Sequence, residues 1–111
     1  MSKPKVIISN AYQKRLREIE DFIWESSGNS FLAMDSFLTA HEQALEFLKD
    51  NPTTPAIHPQ TGDQSWPFSE GRYRLFYKFV NNKINLIDLI DNRMSNLKIY
   101  PNNLLPTYSE D

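Results

Sequence analysis

The side chains best suited to chemistry in this sequence are its cations, and they are unevenly placed. Residues 71–100 carry six basic side chains (Arg72, Arg74, Lys78, Lys83, Arg93 and Lys98) against two acidic ones, Asp88 and Asp91. Residues 1–50 hold six basic and eight acidic side chains, and the 111-residue chain has a net charge of −2. A basic stretch therefore sits inside an acidic protein, whose overall sign argues against bulk affinity for nucleic acid. Read alone, Arg72, Arg74 and Lys78 form a solvated strand face, with Arg72 able to pair with Asp91.

Other chemistries are absent or weak. There is no cysteine, which excludes disulfide frameworks, thiolate metal sites and thiol nucleophiles. His41 and His58 lack metal-ligand spacing to each other or to carboxylates, so no metal and no cofactor is expected. His41 falls within an apolar helical stripe and reads as a packing residue, and His58, between Ile57 and Pro59, reads as structural. Trp66 and Phe68 flank Pro67 and suit either the core or a partner-binding aromatic pair. Glu18, Asp21 and Glu25 read as a solvated helix face. No phosphate-binding glycine loop and no nucleophile elbow occurs.

The elements that must position these residues follow from periodicity. Val6-Ile7-Ile8 predicts a strand, and Asn10 with Gln13 predicts a capping box that starts a helix. Tyr12, Leu16, Ile19 and Ile23 recur at spacings of four, three and four, one helix face. Ser26-Ser27-Gly28-Asn29 breaks that helix and Ser30 caps a second, with a stripe of Phe31, Met34, Leu38, His41, Leu45 and Leu48. Lys49 suits its C-terminal dipole, and Pro52 stops it. Residues 51–71 hold four prolines and two glycines and read as a loop with a short strand at Gln64 to Phe68.

Arg72 to Val80 and Lys83 to Ile90 read as strands joined by Asn81-Asn82, a pair suited to a type I′ hairpin turn. Regular alternation puts Tyr73, Leu75, Tyr77 and Phe79 on one face with Ile84, Leu86 and Ile90. The other face carries Arg72, Arg74, Phe76, Lys78 and Val80. In that register Arg74 stands opposite Leu89, and Arg72 opposite Asp91. Asp88 then falls on the apolar face opposite Leu75, which requires either a bulge or a buried partner. Leu97 to Tyr100 could add a last strand, and 101–111 a flexible tail. The expectation is one α+β domain over residues 1–111: an N-terminal strand, an antiparallel helical hairpin, then an antiparallel β-meander. No stretch is long and apolar enough for a membrane span or a secretory signal, which fits a cytoplasmic protein.

Residues 6–100 resemble the RelE/ParE superfamily of bacterial type II toxins. The resemblance rests on the helical pair ending at Leu45, Leu48 and Pro52, on Gly71-Arg72-Tyr73-Arg74-Leu75-Phe76-Tyr77, and on Ile87-Asp88-Leu89-Ile90-Asp91-Asn92-Arg93. The long N-terminal hairpin is closer to the ParE branch. That branch implies a toxin that binds an essential target, DNA gyrase, and is neutralised by a cognate antitoxin. The RelE branch implies a ribosome-dependent mRNA endonuclease in which Arg74, Arg93 and Tyr100 would be catalytic. Such cleavage needs a base, an acid and fixed positive charge on the phosphorane. The lysines that the RelE branch carries on the preceding strand are replaced here by Ser65, Trp66 and Pro67. A third reading is a non-toxic binding module on the same fold. In the toxin readings, Arg72, Arg74, Phe76 and Lys78 would present an exposed partner-binding face to an acidic, apolar antitoxin segment, unless that segment lies across the helical hairpin.

Overall fold

The computed structural model describes residues 2–93. They form β1 (Lys5–Ile8), α1 (Asn10–Ser26), α2 (Phe31–Asp50), β2 (Gln64–Phe68), β3 (Tyr73–Val80) and β4 (Lys83–Asp91). The expected strand over 97–100, Tyr100 itself and the tail 101–111 lie outside the described residues.

Both helices begin on serine. Ser9, not Asn10, caps α1: its backbone is extended, and its Oγ accepts from the Tyr12 N–H at 3.0 Å. An N-cap needs that extended backbone, which the end of β1 supplies at residue 9. The same hydroxyl donates to the Ile87 carbonyl of β4 at 3.4 Å, so the start of the helix is tied to the sheet. Ser30 caps α2 as the sequence predicts, accepting from the Ala33 N–H at 3.1 Å.

Helix α1 buries Tyr12, Ile19 and Ile23, with Leu16 partly covered. Helix α2 is rotated from the predicted stripe. Phe31 is 80% and Leu38 41% exposed, whereas Phe37, His41, Ala44 and Leu48 are buried. Two overlapping stripes, sharing His41 and Leu48, satisfy helical spacing equally well. Packing selects the one containing Phe37, whose ring lies edge-on to Tyr73 at 4.8 Å.

The sheet runs β1-β4-β3-β2, with β1 parallel to β4 and the other pairs antiparallel. Asn81 and Asn82 have φ of 54° and 57°, the left-handed pair that a type I′ turn requires. Pairing then proceeds from Val80 opposite Lys83 to Tyr77 opposite Leu86, and resumes at Phe76 opposite Asp88. Ile87 is the extra residue of a β-bulge, and it shifts the alternation of everything after it.

That shift corrects the regular register. Arg74 stands opposite Ile90 rather than Leu89, and Tyr73, not Arg72, faces Asp91. Ile90 joins the outer face, while Leu89 and Asp91 turn toward the helices. Asp88 is no longer opposite Leu75. Its carboxylate accepts from Arg15 Nε of α1 at 3.4 Å and from the Leu89 N–H at 2.8 Å.

The α2 correction gives a direct test. Phe37→Ala should cost about 3–5 kcal/mol in a denaturant melt. Leu38→Ala should cost about 1 kcal/mol or less, because much of that side chain already meets water. Equal losses would contradict the observed helix rotation.

Candidate functional site: a cationic cleft at the end of the sheet

Because of the bulge, Asp91 at the end of β4 points to the helix side with its carboxylate fully buried. Arg93, two residues on, closes over it. Nε donates to Oδ1 at 3.2 Å and Nη2 to Oδ2 at 2.9 Å, while the Arg93 backbone N–H donates to Oδ1 at 2.9 Å. Nη2 also donates to the Tyr73 hydroxyl at 3.0 Å. The guanidinium carbon lies 5.3 Å from the centre of the Phe22 ring and 5.8 Å from that of Tyr73, within cation–π range of both. The bond to Asp91 holds the Arg93 pKa above its ordinary value. Burial raises that of Tyr73, opposed by the cations of Arg93 and Arg72, so the phenol keeps its proton.

These groups border a cleft of about 350 Å³ between the end of α1, the start of α2 and the start of β3. Phe37 and Tyr73 contribute apolar surface, and Ser36, Ser69, Arg72 and Arg93 supply polar atoms. A second groove, of about 390 Å³, continues past Ser69, Arg72 and Arg93 to Glu70 and Asn92. Ser69 and Glu70 have φ of 53° and 59°, and this left-handed turn carries Arg72 around to the cleft. Strand alternation does not apply to Arg72, because β3 begins at Tyr73.

The predicted site residues are distributed accordingly. Arg74 lies on the outer face and donates to Ser65 Oγ at 2.6 Å. Arg93 lies on the helix face, with the sheet between the two guanidinium groups. Lys78 is exposed, 3.9 Å from the Asp63 carboxylate. Phe76 is only 1% exposed, which corrects its expected place on an exposed face. It shares the outer face with Ile90, also buried at 8%, so that face is not uniformly solvated. Tyr100 lies outside the described residues. Trp66 stacks on Phe47 at 4.5 Å and Phe68 on Tyr73 at 5.2 Å, which places the Trp66-Phe68 pair against the core.

Both histidines have structural work. His41 Nε2 and Tyr12 Oη share a hydrogen bond of 2.7 Å inside an aromatic cluster with Phe37 and Phe68. His58 Nδ1 accepts from the Gln60 and Thr61 N–H groups at 3.1 and 3.3 Å, organising the loop before β2. Among the described residues no group of three His, Cys, Asp or Glu side chains could hold a metal ion, and no helix is long and apolar enough to cross a membrane. Sequence reasoning missed Tyr73 and the serines of the cleft. The signal available was Ser69-Glu70-Gly71 before Arg72, a turn that takes the next residue out of the strand's alternation.

A family model described as "ParE toxin of type II toxin-antitoxin system, parDE" matches residues 6–102. No curated protein matches the chain.

Two outcomes test this description. Arg93→Ala leaves the buried Asp91 carboxylate without its cation and should lower stability by an amount near the bottom of the roughly 3–5 kcal/mol range for a broken buried pair. Thermal or urea melts measure it, and a loss below about 0.5 kcal/mol would contradict the pairing. The second concerns pH. Burial lowers the His41 pKa from 6.5 to about 4, so between those values the unfolded chain takes up a proton that the folded chain refuses. The contribution is full above pH 6.5 and declines as pH falls toward 4, by about 3 kcal/mol at most. Urea melts at pH 7 and 4.5 should show a smaller acid loss for His41→Gln than for the unsubstituted protein.

Proposed function

Because the chain belongs to the ParE toxin family of type II toxin–antitoxin systems, we propose that it arrests growth by binding an essential protein target, DNA gyrase. A cognate antitoxin neutralises it, and both act in the cytoplasm. The observation that carries this reading is the separation of Arg74 and Arg93 by the sheet. Phosphodiester cleavage needs a base, an acid and fixed positive charge converging on one phosphate. Here Arg74 is engaged with Ser65 on the outer face, and Arg93 is engaged with a buried carboxylate on the other. An inhibitor that works by occupying its target needs complementary surface and no proton transfer, so this separation costs it nothing. The net charge of −2 supports the same reading, since affinity for a large RNA is dominated by contacts to phosphate.

Charge on the rim of the toxin, including Arg74 and Lys78, acts on association with the antitoxin more than on final affinity. The association rate should therefore fall as salt rises.

Inducible expression with parallel labelling of DNA and protein synthesis separates the mechanisms. Replication should fail first; early loss of translation would instead identify an mRNA endonuclease and overturn the proposal. At single residues, Arg74→Ala and Tyr100→Phe should leave toxicity nearly unchanged. A nuclease relying on Arg74 for phosphate stabilisation would lose a factor of roughly 10²–10³ in rate.

A further inference from the structure

The cleft beside Tyr73 collects more positive charge than the fold uses. Arg72, Tyr73 and Arg93 line the same small cavity, and Arg93 donates to the Tyr73 phenol. Among the described residues that line the cleft none is acidic; Glu70 lines only the adjoining groove, and both oxygens of the buried Asp91 are occupied by Arg93. Among the described residues Arg72 makes no ion pair, and the hydroxyls of Ser36 and Ser69 make no hydrogen bond.

We infer that this cleft receives an acidic side chain, with an apolar neighbour, from the segment of the antitoxin that binds the toxin; the inference rests on the toxin–antitoxin reading above. The carboxylate meets Arg72 and the free edge of Arg93, with Ser36 and Ser69 within the same cleft. The apolar neighbour covers Phe37 and Tyr73. A volume of about 350 Å³ is at the small end for ligand pockets, enough for side chains but not for a folded element. The receptor is held in place before binding: Asp91 and two aromatic rings fix Arg93, and Tyr73 is a core residue. Little order then has to be gained on binding. Planar carboxylate also matches the fork of guanidinium donors. The apolar surface between the cations favours a peptide over a bare phosphate, which would leave Phe37 uncovered.

This site differs from the outer strand face, one of the two places where the family resemblance sets the antitoxin contact; the other is the helical hairpin, whose residues Ser26, Ser27 and Ser36 line the cleft. Arg72 is common to the cleft and the outer-face reading, but it works here with Arg93 and Tyr73 rather than with Arg74, Phe76 and Lys78.

The test is the affinity of the purified antitoxin for the full-length toxin and three variants, each shown folded by its thermal melt. Arg72→Gln should weaken binding about tenfold or more, as expected for a lost charged hydrogen bond. Ser36→Leu, on an exposed helix position, should weaken it by filling the cleft. Lys83→Gln, which removes the same charge at the far hairpin, should stay within about twofold. In the antitoxin, changing the acidic residues of the binding segment to amides should match the Arg72→Gln loss and add little to it in combination. Tight binding that is unaffected by Arg72→Gln and Ser36→Leu would overturn the cleft assignment and leave the toxin–antitoxin reading standing. So would losses that simply add between Arg72→Gln and the amide changes. An antitoxin that fails to bind the unsubstituted toxin would overturn both.

Discussion

One extra residue in β4 sets the geometry on which the site depends. Up to Leu86 the strand alternates in step with β3, and Ile87 then breaks the step. Without the bulge, Leu89 and Asp91 would face away from the helices, and Asp88 and Ile90 would face them. With it, Leu89 enters the core and Asp91 becomes a buried carboxylate held by Arg93, which lines the cleft. A period of two leaves no intermediate arrangement, so a single insertion flips every later side chain.

The consequences run outward from there. A buried carboxylate must be paired, and Arg93 pairs with it through two side-chain hydrogen bonds. Pairing draws Arg93 onto Phe22 and Tyr73 and away from the outer face that carries Arg74. Asp88, next to the inserted residue, accepts from Arg15 and links β4 to α1, while Ser9 links the start of α1 to the Ile87 carbonyl of the bulge itself. The first helix is thus anchored on the irregular part of the sheet. Arg74 and Arg93 thus end on opposite sides of one sheet.

The aromatic cluster provides the rigid backing. Phe37, His41, Phe68, Tyr73 and Tyr12 contact one another across α1, α2, β2 and β3. His41 serves this cluster as a neutral ring, its proton affinity lowered by burial. Tyr73 belongs both to the cluster and to the cleft, so the cationic groups at its hydroxyl rest on core packing rather than on a loop.

Much of this was legible in the sequence because it depends on neighbours along the chain. Helical spacing located both helices, the serine at residue 30 located the second cap, and the two asparagines located the hairpin turn. Proline and glycine density isolated the short strand β2 from its loop. The resemblance carried by Gly71 to Tyr77 and Ile87 to Arg93 pointed to the toxin family. What only the tertiary structure decided concerns choices that local chemistry leaves balanced. Helix α2 offers two overlapping apolar stripes, and only packing on Tyr73 prefers Phe37 to Leu38. Strand β4 has no glycine or proline to mark its bulge, and Asp88 was the sole hint of it. The partner of Asp91 turned on the same register: regular pairing sets Arg72 opposite it, whereas in the structure Tyr73 stands opposite and Arg93 is the partner. The side of the sheet on which that carboxylate is buried is set by pairing between strands, which no local run of residues records.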